Sequence, residues 1–534
     1  MKNKSFHSLK WLLLAYLAVT VVTPLLGLFG TIRMEHIREV FASAQFFPML
    51  KNSLITTMLA TIISVGLSFL LAFALNRSRI RFKSVFVVLF TLPMLIPSIS
   101  HGMGLVLLLG DNGLLTNLLG INVGLYGYRG IIMGSVLYSF PVSFLMFHDS
   151  FRYEDFTIYE TANVLGLSVW NQFTAITLPG MKRTIVSAVL AVFTMVFTDY
   201  GVPLMTGGTA MTLPVYMYRE VIGMMNFSGG AVVGLVLLMP AVAAFLMDFS
   251  ASEKGGAAST VTRPYQIPEN RSRDMMVYLF FGLVLLLLCM PVVAFICLSF
   301  VKQYPVDMSF SLGTVRKLLT GGVSMYFVNS MALALLTALF GTCLSYFSAY
   351  ITARFGKAVP NRILHFISML PLAIPGVVLG LSFVLTFRNA PFYSTIAILV
   401  IVNIVHFFSS PYLLAYNSLS KLNPNLEDVA QSLGISRMQM LLSVFVPSTI
   451  PTIIEMYSYY FVNAMITISA VSFLANFRTM PLSLLIPQLE SQSFVEGTAM
   501  VSLMILLLNI LEKGIAFLVT RRLHKQENKN RAAQ

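Results

Sequence analysis

Long apolar runs limit what this chain can become more than any other feature. About twelve stretches each approach the ~20 residues needed to cross a ~30 Å hydrocarbon layer. They lie near 11–31, 53–76, 84–108, 130–149, 184–206, 227–248, 275–300, 327–352, 363–387, 393–416, 448–474 and 498–520. Of the 534 residues, 57% are hydrophobic and 10% charged, against about 25% charged in an ordinary soluble domain. So little charge cannot cover a water-facing surface of this size, and lipid must be the solvent for most of the chain. In lipid each backbone N–H and C=O is satisfied within its own segment, so the runs predict helices. The expected fold is an all-α polytopic membrane protein.

In a soluble protein the net charge of +14 would suggest a nucleic-acid partner. Its placement says otherwise. Basic clusters at Lys2, Lys4 and Lys10, at Arg77, Arg79, Arg81 and Lys83, and at Arg521, Arg522, Lys525, Lys529 and Arg531 all fall on one side of an even number of spans. That is the positive-inside bias. It predicts a multi-pass membrane protein with both termini in the cytoplasm, and it calls for no nucleic acid. The first run follows a basic N-terminus, yet its length and the lack of a small-residue cleavage site read as a retained span. Cys289, Cys297 and Cys343 lie inside runs and form neither metal-ligand spacing nor a disulfide framework. No metal site is expected.

The chain also repeats itself. Asn52-Ser53 is matched by Asn329-Ser330, the stretch LPMLIP (92–97) by LPLAIP (370–375), and Gly102 by Gly380, in the same order. Each copy holds six runs, so both enter the membrane in the same direction as parallel repeats with a pathway between them. The expected organisation is a first repeat over 1–249, a linker over 250–274 rich in Gly, Ala, Ser and Thr, a second repeat over 275–520, and a basic tail over 521–534. Pro93 and Pro97, like Pro371 and Pro375, remove helix hydrogen bonds. They are either ordinary membrane-helix prolines or breaks that let loosened backbone line a water-filled path.

Two polar stretches stand out from the oily background: ETANVLGLSVWNQFTAITLP (160–179) and DVAQSLGISRMQMLLSVFVP (428–447). In each, an acidic residue (Glu160, Asp428) is followed by an alanine (Ala162, Ala430), then a glycine (Gly166, Gly434), then a closing proline (Pro179, Pro447), at equal spacings. Glycine suits the left-handed residue that ends a helix. Ser168 and Ser436 suit the N-cap of the next short helix, and a proline fits the opening turn of the span that follows. The short helices expected over 168–177 and 436–445 carry Trp170, Phe173 and Ile176, or Met438, Leu441 and Leu442. Such apolar side chains on a cytoplasmic loop either pack beneath their own bundle or dock a soluble partner through an aromatic anchor.

On these residues the chain resembles the permeases of type I ABC importers, whose EAA loop has this spacing. With the Asn-Ser and LP landmarks the likeness covers nearly the whole chain, in the fused two-half form of the iron, thiamine and phosphonate branch. The first loop keeps two of the three leading letters in Glu160-Thr161-Ala162. The second is looser, with Glu427 just before Asp428. The resemblance implies a non-enzymatic transmembrane subunit whose two loops insert into two copies of a separate ATPase, which binds ATP and Mg, while an extracytoplasmic solute-binding protein delivers cargo. The chain itself has no G-x-x-x-x-G-K-[ST] loop to cradle phosphates, and no cofactor of its own is expected.

For the cargo, Phe197–Pro203, Gly207-Gly208, Tyr216–Gly223 and Gly229–Val233 follow an order similar to that of 2-aminoethylphosphonate permeases, with ferric-iron permeases close behind. Asp199 either meets a substrate ammonium group or caps a helix. His101 and His365 either line the path or hydrogen-bond between helices. An ion-coupled secondary transporter would share the helices and halves, but it would not need two loops with this spacing and would need charges deep in the spans. A membrane enzyme would need a catalytic set, and no H-E-x-x-H is present.

Overall fold

A computed structural model describes residues 4–253, 263, 265–356 and 358–532. Residues 1–3, residues 254–262 and 264 of the expected linker, and residues 533–534 of the tail lie outside the described residues. Among the described residues, nine helices are long and apolar enough to cross a membrane, or up to twelve if each of three bent pairs counts as one span. Shorter helices connect them, and the strands described form one small antiparallel hairpin, Val301–Gln303 with Asp307–Phe310.

The bent pairs show what the prolines do. Val359–Ala373 and Gly376–Phe387 meet at 112° across Pro375, and Arg437–Ser448 and Ile450–Ile466 meet at 78°. The matching stretch of the first repeat passes from helix Lys83–Thr91 through a tight turn at Leu92–Leu95 into helix Ser98–Leu109. These breaks fall beside prolines, whereas the third bent pair, Ile396–His406 and Ser409–Ser420, turns by 52° at Phe407-Phe408 with no proline in the break.

Two compact units form, and they are not the sequential halves. One holds Phe41–Met217 and Met239–Leu312. In it, helices Phe46–Asn76 and Tyr128–Arg152 approach closely along small residues. Ser64 Oγ lies 2.8 Å from Ser139 Oγ, Ser68 Oγ donates to the Phe140 carbonyl at 2.7 Å, and Ser143 Oγ donates to Ser68 Oγ at 2.8 Å. Serines allow backbones this near while satisfying their own hydroxyls in lipid. Phe90, Phe140, Phe144, Phe147, Phe151 and Phe281 fill the core. Phe281 belongs to helix Arg271–Ser299, which opens the second repeat, and its ring meets Phe90 edge-on at 5.1 Å.

The other unit holds Met1–Val40, Tyr218–Leu238 and Gly313–Gln534. Helix Val323–Arg354 packs on helix Ile450–Ile466, where the Tyr460 ring lies across Gly341; a Cβ there would fall 2.8 Å from the ring. Helix Thr23–Thr31, from the start of the first repeat, packs on Gly376–Phe387. Gly27 permits the approach, since a Cβ would sit 2.6 Å from Thr386 Oγ1. The opening span of each repeat therefore completes the unit built mainly from the other repeat.

The Asn-Ser landmarks have one job in both units. Asn52 Nδ2 donates to the Met211 carbonyl at 3.0 Å, and Ser53 Oγ accepts from the Leu213 amide at 2.8 Å. Asn329 Nδ2 donates to the Arg478 and Met480 carbonyls at 2.8 and 3.1 Å, and Ser330 Oγ accepts from the Leu482 amide at 2.7 Å. Each pair satisfies irregular backbone that would otherwise be left unpaired in an apolar setting.

Candidate functional site

In the first loop, helix Thr157–Val164 ends at Gly166 with φ 71°, and the Leu167 amide returns to the Ala162 carbonyl at 3.0 Å. In the second, helix Leu426–Ser432 ends at Gly434 with φ 68°, and the Ile435 amide returns to the Ala430 carbonyl at 2.9 Å. Both are left-handed glycine stops. Ala162 and Ala430 are buried beneath them, which accounts for a small residue at that position.

The next turns match as well. Ser168 Oγ accepts from the Asn171 amide and Ser436 Oγ from the Gln439 amide, each at 3.2 Å, capping the turns Val169–Gln172 and Arg437–Met440. A wider turn follows in each, Phe173–Thr177 or Leu441–Phe445. Pro179 then sits in the first turn of Leu178–Phe197 and Pro447 in that of Val446–Ser448.

The outward faces are apolar. Trp170 is 70% exposed, with Val164, Leu165 and Val169 exposed beside it; in the second loop Met438 is 38% exposed, with Leu433 and Leu442 alongside. Of the two placements open to Phe173, beneath its own bundle or outward to a partner, the structure shows the first. The wider turn that starts there swings its ring onto helix Phe46–Asn76, edge-on to Phe69 at 6.2 Å and Phe73 at 5.7 Å, with Trp170 stacked outside it at 5.8 Å. Phe173 is half-buried there, and Leu441 of the second loop is fully buried. Phe173 buttresses the outward tryptophan from within.

Each loop is anchored by an arginine at the end of the long helix behind it. Arg354, 5% exposed, grips both oxygens of Glu427 at 2.6 Å and donates to the carbonyls of Leu419, Leu422 and Asn423. Arg77 pairs with Glu154, donates to the Tyr159 hydroxyl at 3.0 Å, and lies with its guanidinium 3.2 Å from the ring centre of Tyr265. The strongly engaged carboxylate of the second loop is thus Glu427; Asp428 is exposed. Glu160 is 38% exposed and pairs with Arg263 at 3.3 Å. Nothing local in the sequence marks these arginines, because their partners lie far along the chain.

The expected path residues are spread over both units. Pro93 and Pro371 lie within the tight turns, while Pro97 and Pro375 immediately precede the helices that follow. His101 is buried with Nε2 3.0 Å from the Pro93 carbonyl, which ties the two sides of its break together. Asp199 accepts from the Gly201 and Val202 amides at 3.3 and 3.0 Å and so caps helix Gly201–Thr206. His365 bonds the Tyr412 hydroxyl. Among the described residues, no cluster of three or more His, Cys, Asp or Glu could hold a metal.

Known proteins fit this duplicated arrangement. The family described as binding-protein-dependent transport system inner membrane component matches twice, over residues 64–252 and 341–525, and so spans both loops. The chain is 26% identical to the putative ferric transport system permease protein FbpB 1 of Haemophilus influenzae, over 85% of this chain and 75% of that one. It is 26% identical to the ferric transport system permease protein FbpB of Actinobacillus pleuropneumoniae, over 83% and 67%. With the thiamine transport system permease protein ThiP of Escherichia coli it shares 22% identity over 94% and 96%. With both repeats matched and its helices apolar enough to span a membrane, the chain belongs to the inner-membrane permeases of binding-protein-dependent ABC importers.

Proposed function

We propose that the two anchored loops are the sites at which two copies of a separate ATPase engage this permease. The carrying observation is the doubled glycine stop, serine cap and exposed apolar face, which includes Trp170 or Met438. An exposed tryptophan backed by a stacked phenylalanine is a pre-ordered anchor for a pocket. ATP and Mg bind on the partner, whose closure moves the loops. The loop-bearing face and both termini are cytoplasmic, and an extracytoplasmic binding protein delivers the solute.

For the solute, the ferric permeases among the relatives favour iron. The order of motifs from Phe197 to Val233 supports 2-aminoethylphosphonate as the second reading, and the thiamine relative supports a thiamine-like solute less directly. The test is uptake into proteoliposomes holding the permease with its ATPase and binding protein. ATP-dependent accumulation of labelled iron, indifferent to proton and sodium gradients, is the expected result. Accumulation of the phosphonate alone would replace the cargo, and uptake driven by an ion gradient without ATP would overturn the importer reading.

A further inference from the structure

Beside the first loop, the turn that joins helices Phe46–Asn76 and Lys83–Thr91 faces the described part of the linker. Between them lies a groove of about 560 Å³, lined by Ser78, Arg79, Ile80 and Lys83 from the turn and by Tyr265, Gln266 and Ile267 from the linker. We infer that this groove binds a phosphate group, carried by an anionic lipid headgroup or by a soluble phosphate.

Three observations lead there. The first is charge. Arg77, Arg79, Arg81 and Lys83 alternate along the turn. Arg77 is neutralised by Glu154, Arg79 by the exposed Glu269, and Arg273 by Asp274. Lys83 forms no ion pair among the described residues, and Asp274 acts on it only at a distance; burial is the main cause that pulls its ammonium below the ordinary lysine value. A half-buried cation with no counter-ion in contact is costly unless an anion joins it.

The second is a donor with nothing to bond. Ser78 lines the groove and is fully buried, yet its hydroxyl has no hydrogen-bond partner. Buried hydroxyls are normally satisfied. An acceptor in the groove supplies the missing partner.

The third is backbone. Lys83 opens a nine-residue helix whose N-cap residue, Phe82, holds φ 61° and gives no side-chain cap. The Val85 amide turns back to the Phe82 carbonyl at 2.9 Å, and the positive end of the helix favours an anion. A hydroxyl, an ammonium and the Arg79 guanidinium lining one opening suit the several acceptor oxygens of phosphate, which competes with Glu269 for the arginine. The site stands independently of the transport reading.

The test uses the full chain, purified in detergent and stripped of lipid. Native mass spectrometry follows retention of phosphatidylglycerol against phosphatidylcholine, and thermal melting follows inorganic phosphate. The expected result is preferential binding of one phosphate source, weakened about tenfold in Lys83→Gln and Arg79→Gln and kept in Lys83→Arg. Retention of phosphatidylglycerol assigns the lipid as source; a melting shift with inorganic phosphate alone assigns the soluble one. Ser78→Ala guards against misfolding as an explanation. Without ligand it melts at or above the parent temperature, since it removes an unsatisfied hydroxyl, and with ligand it loses the stabilising shift. Binding of both probes that is unchanged in Lys83→Gln, Arg79→Gln and Ser78→Ala, or absent from the parent chain, overturns the proposal.

Discussion

The two loops share a backbone but not a mounting. In the first, the turns after Ser168 run without a break into one span, Val169–Phe197. In the second, the chain bends by 78° between Arg437–Ser448 and Ile450–Ile466. The sequence difference is small. The first copy carries Pro179 followed by Gly180, whereas the second carries Pro447 and then Pro451, and the second proline withholds a further helix bond. Thr449 fills the bend, its hydroxyl donating to the Phe445 carbonyl at 2.7 Å and lying 2.7 Å from the Tyr346 hydroxyl. A push on the first loop is carried by a continuous rod, while a push on the second reaches its span through a corner.

The anchors differ in the same sense. Arg354 finds every partner within the second loop and its flanks. Arg77 draws on Glu154 and Tyr159 but also on Tyr265 of the linker. The linker adds a strap: the Phe156 amide donates to the Arg263 carbonyl at 3.0 Å, and the Tyr265 ring meets Phe156 and Tyr159 edge-on at 5.0 and 5.1 Å. A duplicated part has been kept in shape by two different sets of contacts.

The sharpest break in this comparison is Arg354→Ala. It leaves Glu427 without its bidentate partner and takes one donor from each of three carbonyls, and should cost about 3–5 kcal/mol, seen as a lower melting temperature and faster hydrogen exchange over 419–434. Arg354→Lys should not restore it, since one ammonium cannot match the fork and reach the carbonyls. Next is Trp170→Ala, which should weaken ATPase copurification by about 2 kcal/mol while melting stays near the parent value. Met438→Ala should weaken it less, and equal losses would erase the asymmetry. Gly166→Ala and Gly434→Ala should each cost about 1–2 kcal/mol from the left-handed backbone. A Cβ at either position would meet nothing within 4 Å, so the two costs should agree; a clear inequality in melting would show that the shared backbone is not equivalent. The smallest effect is Tyr265→Ala, worth about 1 kcal/mol through the lost cation–π contact. It should speed exchange over 156–166 and leave 426–436 unchanged.

What could be read from the sequence was what acts locally. Glycine, serine and proline fix the backbone where they stand, so the stops at Gly166 and Gly434, the caps at Ser168 and Ser436 and the breaks at Pro97 and Pro375 were legible. Hydropathy located the spans, although the fifth helix closes at Phe197 and the eleventh at Ile466, short of the expected 206 and 474. Apolar composition continues past both ends while the backbone turns. The Asn-Ser pairs were visible as a repeat, but their partners lie about 150 residues away in sequence, so their role was not. Arg77 looked like one more orienting charge for the same reason. For Phe173 the sequence left inward and outward packing open, because spacing along a short helix cannot foresee the widened turn that decides it.

The exchange of opening spans has a consequence for how the molecule is made. The bundle begun by helix Phe46–Asn76 lacks a wall until helix Arg271–Ser299 has been synthesised, and helix Thr23–Thr31 has no seat until Gly376–Phe387 follows. During translation the earliest helix must wait in the bilayer for most of the polypeptide, and neither half expressed alone would carry a complete set of neighbours.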